Sequence, residues 1–347
     1  FPKLVFGTSA LGNLFEDIGY EAKKSIIAEI IGTDYTQYGE VVQPCCFDCA
    51  GKYGAGLALE LLGRILHELG VQPDAVNISN KLGWRRIPLQ SSTPTFEPGA
   101  WVGLEHDAVQ DISYEGIMRC YHEGNCLLGN YKADVVSIHD PDEYLAAASD
   151  EIDYHNRMLH VMDGYRALHD LKVAGEVTAV GIGAKEATVI ELIVYALPFT
   201  LDWVMIACQL TVYDHTVYVQ NLVSQLAEKG IQVLNSAVFN SGFLVGGTHY
   251  NYQGVSIDQN PGLFSWRDKF YSVTDEFFSK STQRLNPGID AVCVGFSLLF
   301  SPTVSSVVLN SSSADLCKRN ISLVYDPMCA VPDDLWATLK QEQILKL

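Results

Sequence analysis

Short apolar, β-branched runs recur along the chain, separated by stretches in which apolar residues return every three or four positions. The first pattern fits strands buried on both faces and the second fits amphipathic helices; their alternation is the sequence form of a parallel α/β fold. Eight strands are predicted: Leu4 to Phe6, Gln43 to Asp48, Ala75 to Lys81, Val135 to His139, Val180 to Gly183, Met205 to Gln209, Gln232 to Ser236 and Ser305 to Leu309. After the second strand, Leu57, Leu61, Leu62, Ile65 and Leu69 share one helical face, and Gly70 ends the helix. Similar helices are predicted for Tyr20 to Ile31, Tyr114 to Leu128, Tyr154 to Leu171, Ala187 to Leu197, Val219 to Lys229, Ile289 to Ser297 and Ser313 to Ser322.

Eight alternations favour a closed (β/α)8 TIM barrel over an open doubly wound sheet. The first hundred residues also lack the GxGxxG turn that an open dinucleotide-binding sheet carries. One domain spanning residues 1–347 is expected, with long loops after strands 3 and 7. The first of these, Trp84 to Asp111, is rich in Pro, Ser and Thr and holds two Trp, so it is expected to pack over the mouth of the barrel.

Composition narrows the partners. Hydrophobic residues make up 48% and charged residues 18%, which suits a folded globule. A formal charge of −18, from 41 acidic and 23 basic residues, opposes nucleic-acid binding. It leaves room for a dinucleotide, whose pyrophosphate can be held by backbone N–H groups. The longest apolar stretch, Val189 to Tyr213, is interrupted by Glu191, Pro198 and Asp202 and reads as helix, turn and strand rather than a membrane span. With no secretory pattern at the first residues, a cytoplasmic protein is expected. Nine scattered cysteines suit reduced thiols; Cys46 and Cys49 have the CxxC spacing of metal or redox sites but no second pair at zinc-finger spacing, so they read as small buried strand residues and no metal is expected. Asn-x-Ser matches at Asn77, Asn310 and Asn320 read as chance.

Polar residues stand where consecutive strands end: Asp48, Lys81 and His139. Tyr53 follows in the loop Gly51-Lys-Tyr-Gly-Ala-Gly, whose glycines permit a sharp turn. Any one of these could be a solvated strand terminus, but the four together sit where barrel enzymes gather catalytic groups.

The segments Phe-Asp-Cys-Ala-Gly-Lys-Tyr-Gly, Ser-Asn-Lys-Leu-Gly and Ser-Ile-His-Asp resemble the catalytic tetrad motifs of the aldo-keto reductases, and the similarity runs along nearly the whole chain. Residues Asp111 to Arg119 and the following Ile-His-Asp-Pro-Asp are similar to the branch of L-fucose, L-galactose and D-threo-aldose 1-dehydrogenases and pyridoxal 4-dehydrogenase. The resemblance implies hydride transfer between a nicotinamide and a carbonyl or alcohol carbon, with Tyr53 exchanging the proton. Lys81 would lower the cost of its phenolate, Asp48 would hold Lys81, and His139 would orient the substrate oxygen.

The same resemblance implies cofactor contacts from Gly7, Thr8, Asp48, Gln209, Ser236, Phe239, Ser241, Gly242, Leu244, Asn310, Ser311, Ser312, Leu316 and Asn320. Gln209 matches the glutamine that binds the nicotinamide amide. The family's Ser-Asn pair after strand 5 is replaced by Gly183 and Ala184, and its stacking aromatic by Ser236. Asn310 and Leu316 stand where NADP-using relatives place basic residues for the 2′-phosphate. NAD is therefore expected over NADP, with Arg319 the exposed question. Trp84, Trp101, Asp140, Tyr53 and His139 are the candidate substrate contacts, and the expected partner is a small molecule, a sugar. Oxidation of an aldose at C1 to the lactone leads the readings; a general carbonyl reductase or pyridoxal dehydrogenase, and a non-catalytic cofactor-sensing barrel, stay open.

Overall fold

A computed structural model of the protein describes residues 1–40, 44–280 and 286–345. Eight parallel strands close into a barrel in chain order: β1 (Leu4–Gly7), β2 (Cys45–Ala50), β3 (Val76–Leu82), β4 (Val135–His139), β5 (Ala179–Ala184), β6 (Trp203–Ala207), β7 (Gln232–Ser236) and β8 (Val304–Asn310). Helices α1 (Tyr20–Gly32), α2 (Leu57–Glu68), α3 (Tyr114–Leu128), α4 (Glu151–Val173), α5 (Ala187–Ala196), α6 (Val217–Glu228), α7 (Ile289–Leu298) and α8 (Ala314–Tyr325) follow the strands in turn. The (β/α)8 barrel read from the alternation is the fold. Of the predicted second strand, Gln43 lies outside the described residues.

Some boundaries moved for local reasons. On α2 the buried face is centred on Leu59, Leu62 and Leu66; the stripe expected there includes half-buried Leu57, Leu61 and Leu69, which flank it. Strand β6 stops at Ala207, two residues short of Gln209, because the chain turns at Cys208, which takes a left-handed φ of 65°. The long segment after β3 is partly ordered as a hairpin, with Trp84–Pro88 antiparallel to His106–Gln110. The loop after β7 contains a helix, Pro261–Ser279, which places Pro261 in its first turn and buries Phe270, Thr274 and Phe278 at four-residue steps. It packs against a further helix, Asp333–Gln341. Neither helix was in the sequence reading.

Register explains how the site is assembled. Side chains alternate across a strand, so every second residue faces the barrel interior. Asp48 is paired with Ser79, Lys81 with Ser137, and His139 with Gly183. Asp48, Lys81 and His139 therefore climb one inner face in two-residue steps from β2 to β4. Asp48 does not end its strand, as the sequence suggested, but sits two residues inside it.

Below these polar steps the interior is filled by Val5, Cys46, Val135, Trp203, Met205, Leu234 and Val308. Trp203 fits because Gly181 beside it has no Cβ; one would come within 2.4 Å of the indole. A second and much larger apolar layer lies between strands and helices. Cys46 and Cys49 belong to these packed regions, and burial pushes each thiol up to about 12. They are protonated packing groups at neutral pH. Among the described residues, no helix is long and apolar enough to cross a membrane.

Candidate active site

Tyr53 is carried by the turn between β2 and α2, which presses against the loop after β1. Gly54 has φ of +62°, and a Cβ there would stand 2.4 Å from Gly12 O; a Cβ on Gly12 would stand 2.6 Å from the backbone of Tyr53. The two glycines let the loops touch and drive the phenol ring toward the barrel axis. There it meets the His139 ring edge-on at 5.7 Å between centroids, and Lys81 Nζ lies 4.8 Å from its centroid.

Lys81 Nζ donates to Asp48 Oδ2 at 2.5 Å and to the Cys49 carbonyl at 3.5 Å. Gly183 makes the space for its aliphatic stem, since a Cβ there would lie 2.9 Å from Lys81 Cδ. Thus the glycine found in place of a serine is tied to how Lys81 lies across the barrel.

Burial decides the protonation states. Burial raises the Asp48 carboxyl, and the Lys81 ammonium opposes that rise. Burial, together with the charges of Lys81 and Lys52, holds the His139 imidazole well below its ordinary value, so it is neutral. Tyr53 is pushed well above its ordinary value by burial first and then by Asp48 and Asp140. The ammonium expected to favour a phenolate is engaged by Asp48, and the resting group is a phenol able to donate its proton.

Two adjoining lobes open at the C-terminal end of the barrel and share Tyr53, Met205, Ser236 and Tyr252. One, of about 550 Å³, is lined by Tyr53, Lys81, Trp101, His139, Asp140 and Lys52. The other, of about 750 Å³, is lined by Gly7, Thr8, Asp48, Ser236, Phe239, Ser241, Gly242, Asn310, Ser312, Leu316 and Asn320, all from the expected cofactor set. Its size is within the range of cofactor pockets. Asp48 Oδ1, buried on its wall, has no protein partner, which suits an incoming hydroxyl or amide donor.

Three expected cofactor residues do not line this lobe. Gln209 Oε1 accepts from Ala187 N at 3.1 Å, so its amide caps the start of α5 and faces a separate groove. Leu244 is fully buried and its carbonyl accepts from Tyr271 Oη. Ser311 is buried and its Oγ accepts from Asn320 Nδ2 at 3.0 Å, so it holds Asn320 in place. Trp84, expected at the substrate, is not on the lining of the Tyr53 lobe; Lys52 Nζ lies 5.0 Å from its ring centroid.

The sequence reading missed Lys52, Glu97, Glu143 and Lys185, all of which line the Tyr53 lobe. Lys52 Nζ contacts Glu97 Oε1 at 2.7 Å, Asp140 Oδ2 at 2.7 Å and Glu143 Oε2 at 3.1 Å. Glu143 also pairs with Lys185. The available signal was a lysine directly before Tyr53 and an acidic run directly after His139.

A tyrosine, a lysine paired to an aspartate and a histidine, gathered at the C-terminal mouth of a (β/α)8 barrel beside a second lobe, have the chemistry that a carbonyl–alcohol oxidoreductase would use. The chain matches the Aldo/keto reductase family over residues 3–328 and belongs to it. It is similar to a pyridoxal 4-dehydrogenase of Microbacterium luteolum, 25% identical over 350 residues that cover 99% of this chain and 94% of the relative. Among solved structures it resembles an aldo-keto reductase from Bacillus halodurans in its holo form, with TM-score 0.65, 17% identity and coverage of 99% and 92% of the two chains. It also resembles a glycerol dehydrogenase from Gluconobacter oxydans, with TM-score 0.64, 15% identity and coverage of 99% and 93%. The protein is an oxidoreductase of this nicotinamide-using family.

Proposed function

We propose that the chain is an NAD-linked dehydrogenase that oxidises an aldose at C1 to its lactone. A nicotinamide bound in the adjoining lobe would supply the hydride acceptor. In the reductive direction the Tyr53 phenol donates its proton to the carbonyl oxygen; in the oxidative direction it first gives that proton to water, and the phenolate then takes the hydroxyl proton. Lys81, fixed by Asp48, offsets negative charge on the phenol oxygen, and neutral His139 hydrogen-bonds and orients the substrate oxygen.

The observation that carries the cofactor choice is Arg319. Its Nε donates to Asp290 Oδ2 and its Nη2 to Asp290 Oδ1, each at 2.8 Å, and Nη2 also donates to the Pro287 carbonyl. A bidentate pair of this kind leaves little donor capacity for a 2′-phosphate. Among the described residues the cofactor lobe has Glu16, Asp48 and Asp290 on its lining and no Lys or Arg, which supports NAD.

Saturated cations in the other lobe support a neutral substrate. Lys52, Lys81 and Lys185 are each paired with carboxylates, so an anionic sugar acid or phosphate finds no free partner there. Carboxylates accept hydroxyl hydrogen bonds well, and the Trp101 and Tyr53 rings, 5.9 Å apart, offer faces for a sugar ring. Pyridoxal is the second reading, favoured by the relative of that name and by the same aromatic wall, which suits a flat ring.

Purified protein incubated with NAD or NADP and L-fucose, L-galactose, D-arabinose or pyridoxal tests both. Reduced cofactor should appear with an aldose, with kcat/KM for NAD exceeding that for NADP by roughly 100-fold. Turnover of pyridoxal alone selects the second reading. Preference for NADP overturns the cofactor assignment, and silence with every substrate overturns both readings.

A further inference from the structure

We propose that Lys52 is a positioning residue, locking the inserted segment after β3 onto the catalytic pair Tyr53 and His139, so that one buried ammonium sets both the substrate wall and the proton-transfer centre.

Lys52 is 3% exposed, and burying an ammonium is costly unless its charge is matched. Here it is matched by three carboxylates from two separate parts of the chain. Glu97 comes from the inserted segment, Asp140 directly follows His139, and Glu143 lies on the short helix Pro141–Ala146. Burial pulls Lys52 down, but Asp140, Glu97 and Glu143 outweigh it and hold the group charged.

The first arm fixes the wall. Glu97 uses Oε1 for Lys52 and Oε2 to accept from Trp101 Nε1 at 2.7 Å. Trp101 then packs on Tyr53, the neighbour of Lys52 in sequence. The segment also leans on the loop after β1, with Phe15 N donating to Ala100 O at 2.6 Å and Val102 N to Asn13 O at 3.2 Å. Lys52, Glu97, Trp101 and Tyr53 thus form a closed circuit in which the wall and the proton carrier are held by the same group.

The second arm acts on His139. Asp140 Oδ2 lies 3.4 Å from His139 Nε2 and 2.7 Å from Lys52 Nζ, so the lysine engages the carboxylate that would otherwise stabilise an imidazolium. The other groups facing the ring are Tyr53, Lys81 of β3, Glu143 and Lys185 beyond β5. Glu143 favours the charged ring, while Lys52, Lys81 and Lys185 disfavour it. Removing Lys52 deletes one cation and takes its charge from Asp140, Glu143 and Glu97 at once.

The test uses the full chain and needs no knowledge of the substrate. Hydrogen exchange over residues 96–102 and NMR titration of the His139 ring, assigned through His139→Gln, are compared in the parent, Lys52→Met, Lys52→Arg and Glu97→Gln. In Lys52→Met the segment should exchange at least ~10-fold faster and the ring should titrate about one unit higher or more. Lys52→Arg keeps the charge and should keep the ring neutral. Glu97→Gln cuts only the first arm, so it should speed exchange and leave the ring's titration unmoved. This last variant also decides the matter if Lys52→Met does not fold. Unchanged exchange in Glu97→Gln, or an arginine variant whose ring titrates like that of the methionine variant, overturns the proposal.

Discussion

Lys81 Nζ lies 2.5 Å from Asp48 Oδ2, and both side chains are buried. Breaking such a pair from one side strands the other charge, at a cost of about 3–5 kcal/mol. Asp48→Asn should therefore lower the urea midpoint by a matching amount as well as abolish most turnover. A midpoint equal to that of the parent would show that Lys81 finds another partner or loses its proton.

Gly183 is the second support of Lys81. A methyl group at 2.9 Å from Lys81 Cδ must push the stem or the strand, while the ammonium remains held by Asp48. Gly183→Ala is predicted to reduce kcat by roughly 10- to 100-fold through misplacement of the charge. Cofactor affinity, measured by fluorescence, should change far less. Parent-like kcat would mean that the stem has room that the packing does not show.

His139 links activity to stability. Its folded-state value is depressed, so below the ordinary imidazole value of 6.5 the unfolded chain takes up a proton that the folded chain refuses. Stability is then lost as pH falls through that point. Asp48, whose folded-state value is raised, acts in the opposite sense at lower pH. Comparison with His139→Gln isolates the histidine: the melting temperature of the parent should fall relative to the variant from pH 7 to pH 5. Parallel curves would place the ring in water rather than in the barrel.

The cofactor preference can be loosened deliberately. Asp290→Ala releases Arg319 from its bidentate partner at the edge of the cofactor lobe. The ratio of kcat/KM for NADP over NAD should rise by about tenfold. An unchanged ratio means that Arg319 does not reach the phosphate even when free.

The barrel and its polar steps were legible because strand period and motif spacing are local properties. Asp48, Lys81 and His139 could be placed on successive strands by alternation alone. What escaped was long-range. The hairpin Trp84–Pro88 with His106–Gln110 depends on pairing across a segment rich in turn residues, and the helix Pro261–Ser279 shows only a sparse buried stripe. The surroundings of Gln209 were not legible, because family position alone does not reveal that Cys208 turns the chain and that the amide caps α5. Lys52 was passed over because its meaning lies in three carboxylates distant in sequence.

The central claim, that Tyr53 moves the proton of a nicotinamide-dependent oxidation, is tested most directly by Tyr53→Phe. The substitution keeps the ring against His139 and Trp101 and removes only the hydroxyl. With saturating NAD and a substrate turned over by the parent, kcat should fall by at least ~100-fold, while NAD binding by fluorescence titration stays within about twofold. Turnover close to that of the parent would remove Tyr53 from the chemistry.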